Sequence, residues 1–387
     1  MLSGRGALTA KKGVWQRLLI DWRLLSGKAP TLPVGARLTS PLVGVVNYAF
    51  GNYRIHLTER PTIVAAKSVQ PQSLQRPPLH DGLSLATYNV QNLSLTDKSA
   101  RFAPIALDIV QRLMSPDVLV LQEVQDDSGR RNDGVESAAE TLKRLVGRIQ
   151  TAGGPRYAVA QIDPQGGRDG GIPGGNIRTV MLLRAGRVML AAPDPSVSAA
   201  TCVEGQLSLP SNPYRFAQTD RSFFASRKPL IVSIEADGSR YLLIGLHLVS
   251  KWGDDALAGL VQPPVARSRV QRAKQARRVA QLVGAVTQCD SSMHIIVAGD
   301  LNDTSNSPAL QSFSAVGLVD LSSSVPELER YSYIYQGRAE LIDHIYVSQS
   351  LLAHQPMMQI VHINAEFPHV GRSSDHDPVV MWTRATR

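Results

Sequence analysis

Several apolar runs of this chain end in groups that the strands of a protein interior rarely carry. The run 83–88 leads into Asn89, 118–122 into Glu123, 242–246 into His247, and 295–299 into Asp300, with Asn302 two residues on. Asp343 and His344 open the run 345–347, and Ser374-Asp375-His376-Asp377-Pro378 leads into a final apolar stretch, 379–382. A carboxylate at the tip of a buried strand is costly unless it is paired or holds a metal. Each group alone reads as a turn or cap; together they supply carboxylates, amides and imidazoles for one pocket. Oxygen ligands select Mg2+, Mn2+ or Ca2+ over zinc, and the sequence has no His-Glu-x-x-His pattern. Such a cation polarises a phosphoryl oxygen, and a His held by a carboxylate activates water, an effect worth about 10²–10⁴-fold. Phosphate-ester hydrolysis is so slow uncatalysed that imidazole alone does not suffice.

The elements that must position these groups alternate along the chain. Strands are expected over 83–90, 118–121, 157–162, 179–183, 230–235, 241–248, 294–298, 341–347 and 379–382, where apolar runs are short and β-rich. Phe102, Ile105, Ala106, Ile109, Val110 and Leu113 fall on one helical stripe, and 135–149 repeats that period. A third helix, 266–286, carries Arg267, Arg269, Arg272, Lys274, Arg277 and Arg278, read as a solvated outer face. Continuous apolar strands imply sheets covered on both faces, hence a layered α/β fold. The glycine-rich stretch 166–175 lacks a Lys-Ser/Thr ending, so it reads as a surface loop and not as a nucleotide cradle.

Ahead of this unit, residues 1–64 read as a small β module. Apolar residues alternate on both sides of Gly51-Asn52, and a two-residue turn there sets Phe50 opposite Tyr53 and Tyr48 opposite Ile55. The stretch 65–82, rich in Pro, Gln and Ser, reads as a linker, leaving 83–387 as the catalytic unit. The chain has 43% hydrophobic and 19% charged residues, ordinary for a globular protein, and no run long enough to cross a bilayer. Its net charge of +9 suits a polyanionic partner. Cys202 and Cys289 permit one disulfide or two free thiols and exclude a cysteine-rich zinc site. Asp21 and Arg23 interrupt the first apolar stretch too soon for a signal-peptide core.

Thr87-Tyr88-Asn89-Val90-Gln91-Asn92, Leu121-Gln122-Glu123-Val124, Gly299-Asp300-Leu301-Asn302-Asp303, Ile342-Asp343-His344 and the Ser374–Pro378 motif occur in an order that resembles the endonuclease/exonuclease/phosphatase superfamily. The resemblance implies a deoxyribonuclease I-like α/β sandwich, two packed sheets flanked by helices. Arg227-Lys228-Pro229-Leu230 and Gly174-Gly175-Asn176-Ile177-Arg178 resemble its bacterial extracellular nuclease branch, which implies an extracellular or periplasmic location; the absent export signal leaves the cytoplasm open. Carried over by position, the resemblance makes Glu123 the main Mg2+ ligand, with Asn89 and Asp375 completing that shell. Asp300 and Asn302 would orient water and phosphate, Asp343 would fix His376, and His247 would serve as the second histidine. Arg178, Asn176 and Arg227 would contact substrate. The family usually has Asn before that second histidine, and this chain has Leu246. The implied activity is Mg2+-dependent hydrolysis of nucleic acid, foremost DNA endonuclease of low sequence specificity. The alternatives are a phosphatase or phospholipase on the same fold, or a catalytically silent binder of DNA or protein. No protein partner is inferable.

Overall fold

Period-two alternation along the apolar strands sorts their side chains into two layers. In the computed structural model, which describes residues 8–9, 18–30, 32, 36–64, 70–75, 82–96, 101–256, 259–335 and 337–384, those layers are the two faces of two stacked sheets. Val118 and Val120 meet Leu243, Ile296 and Ala298 between the sheets. Leu119 and Leu121 instead lie under the helices Phe102–Leu107 and Ala139–Thr151. On the other side Leu242, Ile244, Ile295 and Val297 lie under Arg267–Cys289 and Pro308–Ser314. The result is the expected sandwich of helices, sheet, sheet and helices.

The six-stranded sheet runs Met357–Ile360, Val379–Trp382, Ser84–Leu93, Val118–Val124, Arg178–Arg184, Tyr157–Ala160. The seven-stranded sheet runs Met189–Leu190, Leu230–Ala236, Ser239–His247, His294–Asp300, Asp343–Val347, Val319–Asp320, with Tyr214–Arg215 paired to Leu230–Ala236. Each sheet has one parallel pair at its centre: Ser84–Leu93 with Val118–Val124, and Ser239–His247 with His294–Asp300. Parallel pairing brings carboxyl ends together, and the antiparallel strands Asp343–Val347 and Val379–Trp382 start at that same end. Gly299 makes the close approach sterically feasible. Its φ is +153°, and a Cβ there would lie 1.9 Å from the Leu246 carbonyl oxygen.

Three sequence expectations shift. The hairpin is present as Gly44–Ala49 and Asn52–Leu57, but Ala49 pairs with Asn52 and Tyr48 with Tyr53. The turn is therefore Phe50-Gly51, both at positive φ (52° and 70°), and Phe50 stands exposed where the sequence pattern had it paired with Tyr53. The backbone turn type overrode the apolar pattern. The second helix begins at Ala139 and not at residue 135, because the Asp127 carboxylate accepts the backbone N–H of Glu140 (3.2 Å) and Thr141 (2.7 Å) and caps that turn. On the third helix Arg267, Arg269, Lys274 and Arg277 face solvent, but Arg272 is buried against Asp303 at 3.1 Å.

Much of the expected linker lies outside the described residues. Its stretch 70–75 runs against the sandwich: the Leu74 N–H donates to the Arg112 carbonyl (2.8 Å), and Arg112 returns bonds to the carbonyls of Pro71 and Gln72. Among the described residues no helix is long and apolar enough to cross a membrane. Cys202 and Cys289 form a disulfide that ties the hairpin Thr201–Val203/Gln206–Ser208 to the end of Arg267–Cys289 across 87 residues. Closing so long a loop restricts the unfolded chain. Replacing both cysteines by serine is expected to lower stability in a denaturant titration by about 2–5 kcal/mol; an unchanged midpoint would show that the bridge contributes nothing.

Candidate active site

The register across the second sheet puts His247 beside Asp300 and Asp300 beside Asp343, three polar side chains in a row at one sheet end. The first sheet supplies Asn89, next to Gln122 in register, and then Glu123. Glu123 has φ +62°, uncommon for a residue with a side chain. That kink at the strand end leaves its carboxylate within reach of Asn89 and His247 from a strand that would otherwise carry it past them.

Asp300 is the meeting point. One oxygen accepts the Asn302 backbone N–H at 2.9 Å. The other lies 3.0 Å from Asn89 Nδ2, 3.5 Å from His247 Nε2 and 4.0 Å from His376 Nε2. Asn89 Nδ2 also reaches Glu123 Oε1 at 3.2 Å, and His247 Nε2 lies 4.0 Å from that oxygen. Asp343 Oδ2 holds His376 Nδ1 at 2.7 Å and accepts the Ser332 hydroxyl at 2.6 Å. Among the described residues, Asp300, Asp343 and His376 are the one cluster of three or more acidic, histidine or cysteine side chains able to share an ion.

Burial and charge push these groups apart electrically. Burial, with the Asp343 charge next to it, raises the Asp300 carboxyl to about 7. Burial alone would lower His376, but the Asp343, Asp300 and Asp375 carboxylates lift it well above the usual imidazole range. His247 goes the other way: burial, then Arg227 and His376, hold it well below that range. The pair thus comprises one imidazolium and one neutral imidazole, a separation typical of divided acid and base roles.

A hard divalent cation fits this set. Asp300 and Asp343 are both buried carboxylates, and Asp343 Oδ1 and His247 Nδ1 are buried without a hydrogen-bond partner among the described residues. Glu123, Asp300 and Asp343, with the amide of Asn89, are the oxygen donors such an ion takes. Asp375 is half-buried beside His376 and Tyr333, and its charge helps hold the protons of both.

The remaining sequence candidates fall around the cluster. Arg227 Nη2 donates to the Leu248 carbonyl at 2.7 Å, the same oxygen that accepts Asn302 Nδ2 at 3.1 Å. Both side chains thus pin the residue after His247. Arg178 directs its donors to Asp163, Gln161 and the carbonyls of Glu136 and Asn176. Asn176 donates to Asp126 (2.9 Å) and to the Val135 carbonyl (2.8 Å). Their bonds build the wall 126–178, and no hydrogen bond or ion pair of theirs reaches the Asp300 cluster.

Sequence reasoning missed the residues that hold His376 in place. Asp377 is buried, and one of its oxygens accepts the backbone N–H groups of Ile363 (2.9 Å), Asn364 (2.7 Å) and Ala365 (3.0 Å). Asn364 Nδ2 donates to the His376 carbonyl at 2.8 Å, and Ser374 Oγ donates to the Asn89 carbonyl at 2.6 Å, stitching the motif to the opposite strand. Tyr333 stacks on the His376 ring with centroids 4.7 Å apart. The acidic motif was visible in sequence; Asn364 lies in a loop and Tyr333 on the short strand Tyr333–Tyr335, and neither shows in sequence what it meets.

Against known families, a model described as the endonuclease/exonuclease/phosphatase family matches residues 86–376. A second, described only as a domain of unknown function, matches residues 2–68. No match was found among curated proteins. Among solved structures, an endonuclease/exonuclease/phosphatase family protein from Leptotrichia buccalis is 14% identical, covering 78% of this chain and 99% of that one, with TM-score 0.51. Truncated TDP2 from Caenorhabditis elegans is 16% identical, covering 78% of this chain and 98% of that one, with TM-score 0.50. At these identities the likeness bears on the fold.

Two measurements test the cluster. In chelator, Asp300 keeps its proton in the fold up to about 7 and in the unfolded chain only to 3.8, so stability falls as pH rises through that window. Asp300→Asn lacks that loss. The variant's melting temperature is expected to overtake the wild type's progressively from about pH 4 to pH 7, and added Mg2+ to narrow the gap above it; parallel curves would contradict the raised carboxyl. Asp377→Ala leaves buried N–H groups unsatisfied and is expected to cost about 2–4 kcal/mol in urea unfolding, far more than an exposed aspartate.

Proposed function

Because this chain belongs to the endonuclease/exonuclease/phosphatase family, we propose that it is a divalent-metal-dependent phosphodiesterase that cuts nucleic acid, foremost DNA, internally and with little sequence preference. The coarser part follows from the family, whose members act on phosphate esters and typically depend on a divalent metal. The observation that carries the reading is the convergence on Asp300 of Asn89, His247 and His376, drawn from both sheets.

Glu123 and Asp300, whose carboxylates meet at Asn89, would hold the cation together with Asp343, with Asp375 alongside. The bound ion would supply Lewis-acid polarisation of a phosphoryl oxygen. Asp300 and Asn302 orient the attacking water, whose proton the bound ion would make easier to lose to solvent. Asp343 fixes the orientation of His376, whose imidazolium stabilises the phosphate and gives a proton to the departing oxygen. His247, neutral and 3.5 Å from Asp300 and 4.0 Å from Glu123, faces the same pocket as the second histidine and donates to the phosphate. Asn302 and Arg227 keep His247 in place through the Leu248 carbonyl, while Arg178 and Asn176 shape the wall beside the substrate.

The net charge of +9 supports a polyanionic substrate, whose affinity then falls with salt. The Cys202–Cys289 bridge supports action in an oxidising compartment outside the cytoplasm.

Supercoiled plasmid incubated with Mg2+ tests the reading. Nicking is expected, lost with chelator and reduced about 10²–10⁴-fold in His376→Ala, with Asp300→Ala at least as impaired. Intact plasmid together with phosphate released from an inositol phosphate, or hydrolysis of a sphingomyelin-like lipid, would instead favour the other substrates of the same fold. Full activity in both variants would overturn the assignment.

A further inference from the structure

Three buried arginines each keep one donor idle. Arg178 Nε, Arg215 Nε and Arg227 Nε are buried without a hydrogen-bond partner among the described residues, and so is Thr179 Oγ1. These four side chains and Lys228 line one recess, and each is at least nine-tenths buried. The recess lies where the two sheets meet. Thr179 belongs to Arg178–Arg184 of the six-stranded sheet, while Arg227-Lys228 lead into Leu230–Ala236 of the seven-stranded one. Arg215 pairs in register with Leu230. The Thr179 methyl group lies 2.9 Å from where a Cβ on Gly245 would stand, two residues before His247.

The remaining nitrogens of these cations are engaged. Arg178 directs Nη1 and Nη2 to Asp163, Gln161 and two carbonyls. Arg215 donates to Asp169 and to the Asp163 carbonyl (2.8 Å), and Lys228 Nζ reaches Asp169 at 2.6 Å. Arg227 Nη2 donates to the Leu248 carbonyl. Four cations thus share two paired carboxylates, Asp163 and Asp169. Burial works against the Arg227 charge, and Glu123, Asp300 and Asp169 act to sustain it, so this guanidinium stands between the recess and the catalytic carboxylates. A buried N–H without an acceptor is costly, and so is surplus buried charge. Water would bring acceptors but no charge, and a cation would add to the surplus. What the recess lacks is an anion with several acceptor oxygens, the chemistry that guanidinium groups match best.

We propose that this recess is a phosphate subsite, taking the phosphate next to the cleaved one along a nucleic-acid strand, or inorganic phosphate from solution. Arg227 serves both places: Nη2 fixes the residue after His247, and Nε is left for the anion. The strand phosphate presupposes the nuclease reading above; the anion site itself stands on the idle donors alone.

Thermal unfolding in chelator with added inorganic phosphate tests the site without using activity. The wild-type melting temperature is expected to rise with phosphate, and the apparent Kd to weaken about tenfold or more in Thr179→Val and in Arg215→Lys. Valine has the shape of threonine and removes a hydroxyl that has no partner, so this variant folds at least as well without phosphate and covers the case in which Arg215→Lys does not fold. His376→Ala keeps the wild-type response, which separates the recess from the catalytic centre. For the strand, single phosphates of a short oligodeoxynucleotide are replaced in turn by uncharged methylphosphonates. One position beside the cleaved linkage is expected to raise the wild-type KM about tenfold with kcat little changed, and Thr179→Val loses that dependence. If no position matters while free phosphate still binds, the strand source is overturned and the recess belongs to inorganic phosphate. A wild type whose melting ignores phosphate, or a Thr179→Val protein that responds as the wild type does, overturns the site and leaves the nuclease reading intact. A wild type that cuts no nucleic acid overturns that reading and the strand source together, while the melting curves still decide the recess.

Discussion

A carboxylate taken out of water must find compensating charge or give up its own, and Asp300 sits under that constraint. It is buried, with the Asp343 charge near and Glu123 joined to it through Asn89. Every nearby polar side chain answers to it: an amide donates, an imidazolium faces it, a neutral imidazole flanks it. These partners compensate it only in part, so the site without a cation neutralises by taking up a proton, which is what the raised carboxyl expresses. A divalent cation resolves the same conflict with far greater charge, so the arrangement that makes Asp300 costly also makes it a ligand.

The sandwich exists, in functional terms, to bring opposite sheets to that point. The two central parallel pairs end at the same edge, and one glycine lets the strands bearing His247 and Asp300 approach side by side. Asp377 and Asn364 then clamp the loop that delivers His376 from the first sheet to Asp343 on the second. Two further buried hydrogen bonds, Asn89 to Asp300 and Ser374 to the Asn89 carbonyl, join segments 211 and 285 residues apart in sequence.

That distance explains what the sequence revealed and what it hid. Strands, helices and the layered class were legible because apolar periodicity is local; Asn89, Glu123, His247 and Asp300 stood out as polar endings of apolar runs, and Asp343 as the polar start of one. Ser332, Asn364 and Tyr333 were invisible, since a lone serine, asparagine or tyrosine carries no sign of the carboxylate, carbonyl or imidazole it meets in space. Arg178 was placed at the substrate by the family resemblance alone, and its donors turn to Asp163 and to backbone carbonyls. The hairpin turn slipped by one residue for a local reason: Phe50 accepts a left-handed backbone that apolar patterning does not reveal.

The most direct test is anomalous diffraction from crystals soaked in Mn2+. The account predicts one strong peak among the carboxylates of Glu123, Asp300 and Asp343, absent in Asp300→Ala. A protein that binds Mn2+ only elsewhere, or not at all, while still hydrolysing its substrate would contradict it.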